Sequence, residues 1–374
     1  MKSSKYSNNS IENLKITYYL GAGASYNAVP IWQAQSKSMI QVADNVVGEI
    51  TDKDLIIKED GKHRNLYNDK KLLNIFTGLR KYGELAMEYG SIDIYARRLH
   101  LLDRKGELND LKFYLSIYFD LWENEIARGR TKSGLIENKQ EVYTKIDKRY
   151  FSLLSVLLEK CETFPKLNEN VSFISWNYDL QLERAFESFL SQKTSSLVEL
   201  NDYFHFMESN QSSFNNIIHL NGFRGMFRYQ KNSYETVQGK NSKNLYSYLN
   251  TLIENYSEFN RSIMDYQDTI KYAWEKDSKS LENAKKRMHE TNILVIIGYS
   301  FPAFNRKIDQ ILIDEFVKGT DVKRVIYQDP NANEDIITSI FGGSENVKYE
   351  KLNTEQFHVP HEFLFPRSTK EIIM

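Results

Sequence analysis

The chain has 374 residues, enough for about two domains' worth of core. Its 41% hydrophobic and 26% charged content is that of an ordinary soluble globular protein, and a net charge of −1 gives no basis for binding nucleic acid through bulk charge. The single cysteine, Cys161, excludes an intrachain disulfide framework and any multi-cysteine zinc site, and no apolar run reaches the length of a membrane span.

The N-terminal stretch MKSSKYSNNSIENLK is polar and lacks the apolar segment of a signal peptide, so the expected compartment is the cytoplasm. Next comes ITYYLGAGASYNAVP (16–30). A run rich in β-branched and aromatic residues breaks at Gly21-Ala22-Gly23-Ala24-Ser25. This predicts a buried strand, a glycine turn and a helix start. Glycines allow a tight turn and close approach to a ligand, and a helix start offers free N–H groups to a phosphate. The dinucleotide fingerprint wants a third Gly or Ala at the position held by Tyr26, and an acidic residue closing a second strand about 20 residues on. Neither is present, which disfavours an ordinary dehydrogenase.

From Ile31 to about Lys166 no buried strand is expected. Segments such as KKLLNIFTGLRKYGELAMEYG and LNDLKFYLSIYFDLWENEIARG space their apolar residues helically, with Ser91 as the N-cap of a further helix. The segment 127–141 is the most loop-like part of this block. Strand character returns at VSFISWNYD (171–179), followed by a helix, and again at NIIHLNGF (216–223). A second helical stretch runs from about Ser242 to Glu290. The most hydrophobic run, NILVIIGYSF (292–301), reads as a central parallel strand. A helix, the strand KRVIYQDPN (323–331), another helix and NVKYEKL complete the pattern. Alternating strands and helices predict an α/β fold, a Rossmann-like doubly wound parallel sheet with large helical insertions. The sheet domain is expected over 1–30 and 167–374, with one helical insertion over 31–166 and a second over 242–290.

Unusual residues mark the strand ends: Gly21, Gly23 and Ser25; Asn177 and Asp179; His219, Asn221 and Gly222; Gly298, Tyr299 and Ser300; Asp329 and Asn331. In open parallel sheets the ligand sits beyond the carboxyl ends of the strands, so these groups should converge on one crevice. Strand alternation puts Ser175, Asn177 and Asp179 on one face, and His219 with Asn221 on one face. An amide, a carboxylate and an imidazole suit displacement at a sugar carbon, with the N-glycosidic bond of NAD as the natural target. Plainer roles stand beside these. Asn177 and Asp179 serve equally as caps of the following helix, His219 as a core histidine, and Ser300 as a cap. Asp93 reads as helix N-terminal chemistry and Arg97 and Arg98 as a solvated face or an interface.

At these residues the chain resembles the sirtuin superfamily, and more closely the bacterial sirtuin-like NADases of anti-phage defence. GAGAS with Ala28-Val29-Pro30 is similar to the family's glycine loop, SWNYD to its Asn-Tyr-Asp motif, IIGYSF to its late Gly-Tyr/Phe-Ser strand and DPN to its last nucleotide-side strand. The resemblance covers about residues 14–30 and 170–350. It implies NAD as substrate, cleaved to nicotinamide and ADP-ribose. Asn177 would orient ribose and water with Asp179 in support, Gly21, Ala22, Gly23 and Ser25 would hold the pyrophosphate, and Gly298, Tyr299, Ser300, Asp329 and Asn331 would line the nucleotide. It also implies NAD depletion during infection, control by self-association as a homo-oligomer, and a possible HerA-type DNA translocase or other defence protein as partner, with no direct nucleic-acid or membrane binding. Two departures stand out. The four-cysteine zinc module of protein-deacylating sirtuins is missing, which implies no zinc and NAD hydrolysis rather than deacylation. The family's catalytic histidine is replaced by Asn221. Either His219 supplies the base from a shifted position, or the protein is a weak or inactive NAD- or ADP-ribose-binding sensor or assembly subunit.

Overall fold

The computed structural model describes residues 14–52, 66–123, 144–207, 215–229, 232–235, 245–259, 266–268, 270–272, 274–275, 279–318, 323–330, 334–341 and 347–364. The elements in chain order begin with β1 (Ile16–Leu20), a 3-10 turn (Ala22–Ser25), α1 (Gln33–Thr51), α2 (Lys70–Glu88), α3 (Ile92–Leu101), α4 (Lys105–Glu123) and α5 (Lys148–Leu157). Then follow β2 (Leu158–Glu159), β3 (Lys166–Leu167), β4 (Val171–Ser175), α6 (Gln181–Glu187), α7 (Leu197–Phe204), β5 (Ile217–His219), β6 (Met226–Tyr229), β7 (Asn232–Glu235) and α8 (Leu245–Phe259). The chain closes with β8 (Tyr266–Asp268), α9 (Lys279–Glu290), β9 (Ile293–Ile297), α10 (Arg306–Val317), β10 (Lys323–Gln328), α11 (Glu334–Phe341), β11 (Val347–Leu352) and α12 (His361–Leu364).

Six strands form one parallel sheet in the order β11-β10-β9-β1-β4-β5. Numbered along the sheet strands alone, this is the doubly wound order 3-2-1-4-5-6. The expected Rossmann-like α/β sheet with helical insertions is therefore present. Every residue of β1, β4 and β9 is buried, which is why β9 reads as an unbroken apolar run, while the buried Thr17 of β1 and Ser172 of β4 pair with each other at 3.0 Å. Alternate residues feed two cores. Tyr18, Leu20, Phe173, Ile217, Val295 and Ile297 pack with α5, α6 and α7 on one face. Tyr19, Ile174, Trp176, Leu294, Ile296 and Tyr327 pack with α9, α10 and α11 on the other. Each large apolar side chain so buried contributes about 1.5–3 kcal/mol.

A third core is mainly helical and joins α1, α2, α3, α4 and α8. In α2 the buried residues Leu72, Ile75, Phe76, Leu79, Tyr82, Gly83 and Ala86 recur at helical spacing, and Asp69 caps the helix by accepting from Lys71 N and Leu72 N. Ser91 caps α3, as the sequence predicts, by accepting from Ile94 N at 3.2 Å. This helical core also takes in Ala28, Val29 and Tyr178, so the insertion is packed directly on the loops that leave β1 and β4.

The structure redraws three expectations. Helix α5 falls inside the segment expected as insertion, yet Tyr150, Leu153, Leu154 and Leu157 pack on the sheet. The stretch 242–290 is not uniformly helical: β8 pairs with β6 in a small antiparallel sheet, and α9 packs on the main sheet through Ala284 and Met288. Third, the glycine turn does not open a long helix. A four-residue 3-10 turn follows it, and α1 starts only at Gln33. Pro30 explains this, because it lacks an N–H and pushes Val29 towards extended backbone. The loop predicted at 127–141 lies outside the described residues.

Candidate active site at the strand ends

The sheet register brings the motif residues to one level. Leu20 is opposite both Ser175 and Ile297, Ile297 is opposite Gln328, and Ser175 is opposite His219. The next residues, Gly21, Trp176, Leu220, Gly298 and Asp329, therefore line the C-terminal edge of five adjacent strands. This edge is where ligands bind in open parallel sheets.

The glycines serve a contact between two loops. A Cβ on Gly21 would stand 2.5 Å from the Gly298 carbonyl oxygen, and one on Gly298 would stand 2.3 Å from the Gly23 carbonyl carbon. Gly298 also has φ +60°, which favours glycine. Gly21 N donates to Ile297 O at 3.0 Å and Gly23 N donates to Gly298 O at 2.9 Å. The N–H groups of both glycines are thus engaged by β9 and its loop.

Asn177 and Asp179 lie in the bend after β4, which ends at Ser175, so strand alternation does not place them. They meet nonetheless. Asn177 Nδ2 donates to Gly21 O at 3.0 Å and approaches Ser25 Oγ at 3.4 Å, and Ser25 Oγ donates to Asp179 Oδ1 at 3.1 Å. Asp179 also accepts from Gln181 N, the first residue of α6, at 3.1 Å. Tyr150 OH reaches Ser25 Oγ at 3.2 Å from α5. Burial pushes the Asp179 carboxyl well above the usual range, and Glu123 and Glu183 push it further, against the Gln181 N–H and the Ser25 hydroxyl.

His219 and Asn221 brace the same bend from the β5 side. His219 Nε2 is 2.7 Å from Glu183 Oε1, and Nδ1 is 3.3 Å from Asn177 O. Both ring nitrogens therefore face oxygen atoms, one of the bend and one of α6. Asn221 lies in the turn beyond β5 rather than on its face, and its Nδ2 donates to Trp176 O at 3.2 Å.

Sequence reasoning misses a buried ionic layer beneath this bend. Arg224, 1% exposed, donates from Nη1 to Asp120 at 2.8 Å and from Nε to Glu123 at 2.6 Å. Glu123 in turn accepts from Leu180 N at 3.2 Å and from Gln181 Nε2 at 2.8 Å. Arg149, paired with Asp147 at 2.6 Å, donates to the carbonyls of Gly23 and Ala24 at 3.3 and 3.1 Å and lies between the rings of Tyr26 and Phe357. Apart from the local Arg149–Asp147 pair, these partners are 57 to 126 positions apart in sequence, and no local pattern announces them.

The late-strand residues divide. Gly298 touches the glycine turn, but the Tyr299 ring is turned into the core. It stacks on Trp176 and its hydroxyl donates to Asp309 at 3.0 Å, so the ring is engaged in the core rather than presented at the strand ends. Ser300 is exposed at the rim, Asp329 directly follows β10, and Asn331 lies outside the described residues. Asp309 also accepts from Tyr19 OH at 2.7 Å. Burial raises the Asp309 carboxyl from 3.8 to about 7. The folded state then binds a proton that the unfolded chain releases above about pH 4, so this group's contribution is full below that pH and is lost as pH rises towards 7. We expect Asp309→Asn to flatten the fall in stability between pH 4 and 7, which urea unfolding across that range measures. An unchanged slope would contradict it.

Among the described residues, no cluster of three or more His, Cys, Asp and Glu is arranged to hold a metal ion, and no helix is long and apolar enough to cross a membrane. Comparison with models of protein families and with curated proteins gives no match for this chain. Fold and site by themselves define the class: a Rossmann-like α/β protein with helical insertions packed against the loops that follow β1 and β4.

Proposed function

We propose that this chain hydrolyses NAD at the nicotinamide N-glycosidic bond. One observation carries the reading: the glycine turn, Ser25, Asn177 and Asp179 form one hydrogen-bonded cluster at the ligand-binding edge of a doubly wound sheet. The sirtuin-like motifs of the sequence fall at that same edge, and their resemblance to the NADases of anti-phage defence supports the substrate.

In this proposal the oxygen of water bonds to C1′ of the nicotinamide ribose as the C1′–N bond breaks. Nicotinamide leaves with the bonding electrons, and the water's second proton passes to a base. The products are nicotinamide, ADP-ribose and a proton. Asn177 positions the water or the ribose through its carboxamide. Asp179 anchors Ser25 by accepting from its hydroxyl. His219 with Glu183 is the acid–base pair beside Asn177. The weaker of its two contacts, at Nδ1, is the one a substrate hydroxyl or water would replace. Oligomerisation, a HerA-type translocase partner and an NAD-depleting role in defence belong to the same proposal and rest on the resemblance alone.

A second reading is favoured by one observation. Both ring nitrogens of His219 face protein acceptors, and Asn221 stands where the family has its histidine, with its amide on the Trp176 carbonyl. A protein so arranged would hold NAD or ADP-ribose without cleaving it. Chromatography of NAD incubated with concentrated protein separates the two. Hydrolysis predicts nicotinamide release by the wild type, reduced at least 100-fold in Asn177→Ala. Binding without cleavage predicts no release and a calorimetric signal with ADP-ribose.

A further inference from the structure

The bend that carries Asn177 and Asp179 is held from the helical insertion as well as from the sheet. Tyr178, between them, is buried, and its hydroxyl donates to Asp93 Oδ1 at 2.5 Å. Asp93 is in the first turn of α3, 85 positions earlier, and is only partly covered, but its carboxyl is turned into the junction. The Tyr178 ring meets Phe119 of α4 and the ring of Tyr272, each at 6.0 Å between centroids. Its carbonyl accepts from Arg224 N at 2.9 Å. Two residues on, Glu123 of α4 accepts from Leu180 N. A tyrosine fixed at both hydroxyl and carbonyl determines where its two neighbours point.

We infer that Asp93 is a positioning residue for the strand-end site: through the Tyr178 hydroxyl it sets the bend that aims Asn177 and Asp179, so that the helical insertion contributes directly to the site. The inference rests on the NAD reading above. The hydrogen bond ties α3 to the bend at a junction where burial raises both groups. The ordinary N-terminal placement of an acidic residue on α3 does not call for this contact, because Ser91 already caps the helix.

The test compares Asp93→Ala, Asp93→Asn, Tyr178→Phe and the double variant Asp93→Ala/Tyr178→Phe in the full chain, with NAD as substrate and ADP-ribose as the binding probe. Tyr178→Phe removes one oxygen and keeps the ring packing, and circular dichroism verifies the fold of each variant. The role predicts that Asp93→Ala and Tyr178→Phe each lower kcat roughly 10- to 100-fold with KM within about twofold. Asp93→Asn, which retains an acceptor, recovers most of the loss. The double variant is no slower than the slower single one, because both remove the same bond. If the wild type binds ADP-ribose without hydrolysing NAD, the same pattern should appear in the dissociation constant. Folded single variants with wild-type kcat or affinity, or additive losses in the double variant, would overturn the role while leaving the NAD reading standing. A wild type that neither releases nicotinamide nor binds ADP-ribose would remove the NAD reading, and this role with it.

Discussion

Gly298→Ala is expected to destabilise the fold by about 3 kcal/mol or more. The new Cβ would lie 2.3 Å from Gly23 C, 2.4 Å from Ala24 N and 2.6 Å from Gly23 Cα, all backbone atoms in the turn that follows β1. Nothing flexible is available to move aside. The left-handed φ of +60° adds its own strain of about 1–2 kcal/mol for a residue with a Cβ. Because the Gly23 N–H is bonded to Gly298 O, relief of the clash would also separate β1's turn from β9's loop and loosen Ser25 and Asn177. Urea unfolding measures the loss. Gly48→Ala is the control: Gly48 lies inside α1 and a Cβ there meets nothing within 4 Å, so the exchange should stabilise by about 0.5–1 kcal/mol. Equal effects at the two positions would show that the contact between the two loops is not tight.

Arg224→Met should lower stability by about 3–5 kcal/mol, because it leaves Asp120 and Glu123 buried without their cation. The two carboxylates are 0% and 3% exposed, so water cannot replace the guanidinium. The damage should reach the site, since Glu123 holds Leu180 N and Gln181 at the start of α6. Replacing the layer as a unit, with Asp120→Asn and Glu123→Gln added, should restore much of the loss. Denaturant midpoints of the single and triple variants check both statements. A triple variant no better than Arg224→Met would contradict the assignment of the loss to unpaired charge.

The fold was legible in the sequence because its strands are short, continuous apolar runs ended by glycine or polar residues, a signal carried by adjacent residues. The strand-end residues Gly21, Asn177, Asp179 and His219 were legible for the same reason. What they touch was not. The glycines read as room for a ligand, whereas Gly21, Gly23 and Gly298 allow two loops to meet. Tyr299 read as a nucleotide contact, but its ring belongs to the aromatic core around Asp309. Glu123 and Arg224 gave no signal, and Asp93 read only as helix N-terminal chemistry, since a charged residue on a helix or in a loop disturbs no periodicity and their partners are 57 to 104 positions away. Register explains the remaining success. Parallel pairing aligns the strand ends, so polar residues scattered over three hundred positions arrive at one edge.

The central claim is that this edge is where NAD sits. A crystal structure of the Asn177→Ala protein with NAD tests it most directly. The account predicts the dinucleotide across the C-terminal strand ends, its pyrophosphate against residues 21–25 and its nicotinamide ribose beside position 177. A dinucleotide seated elsewhere on the protein would contradict it, as would a wild type and a variant that both fail to take up NAD at millimolar concentration.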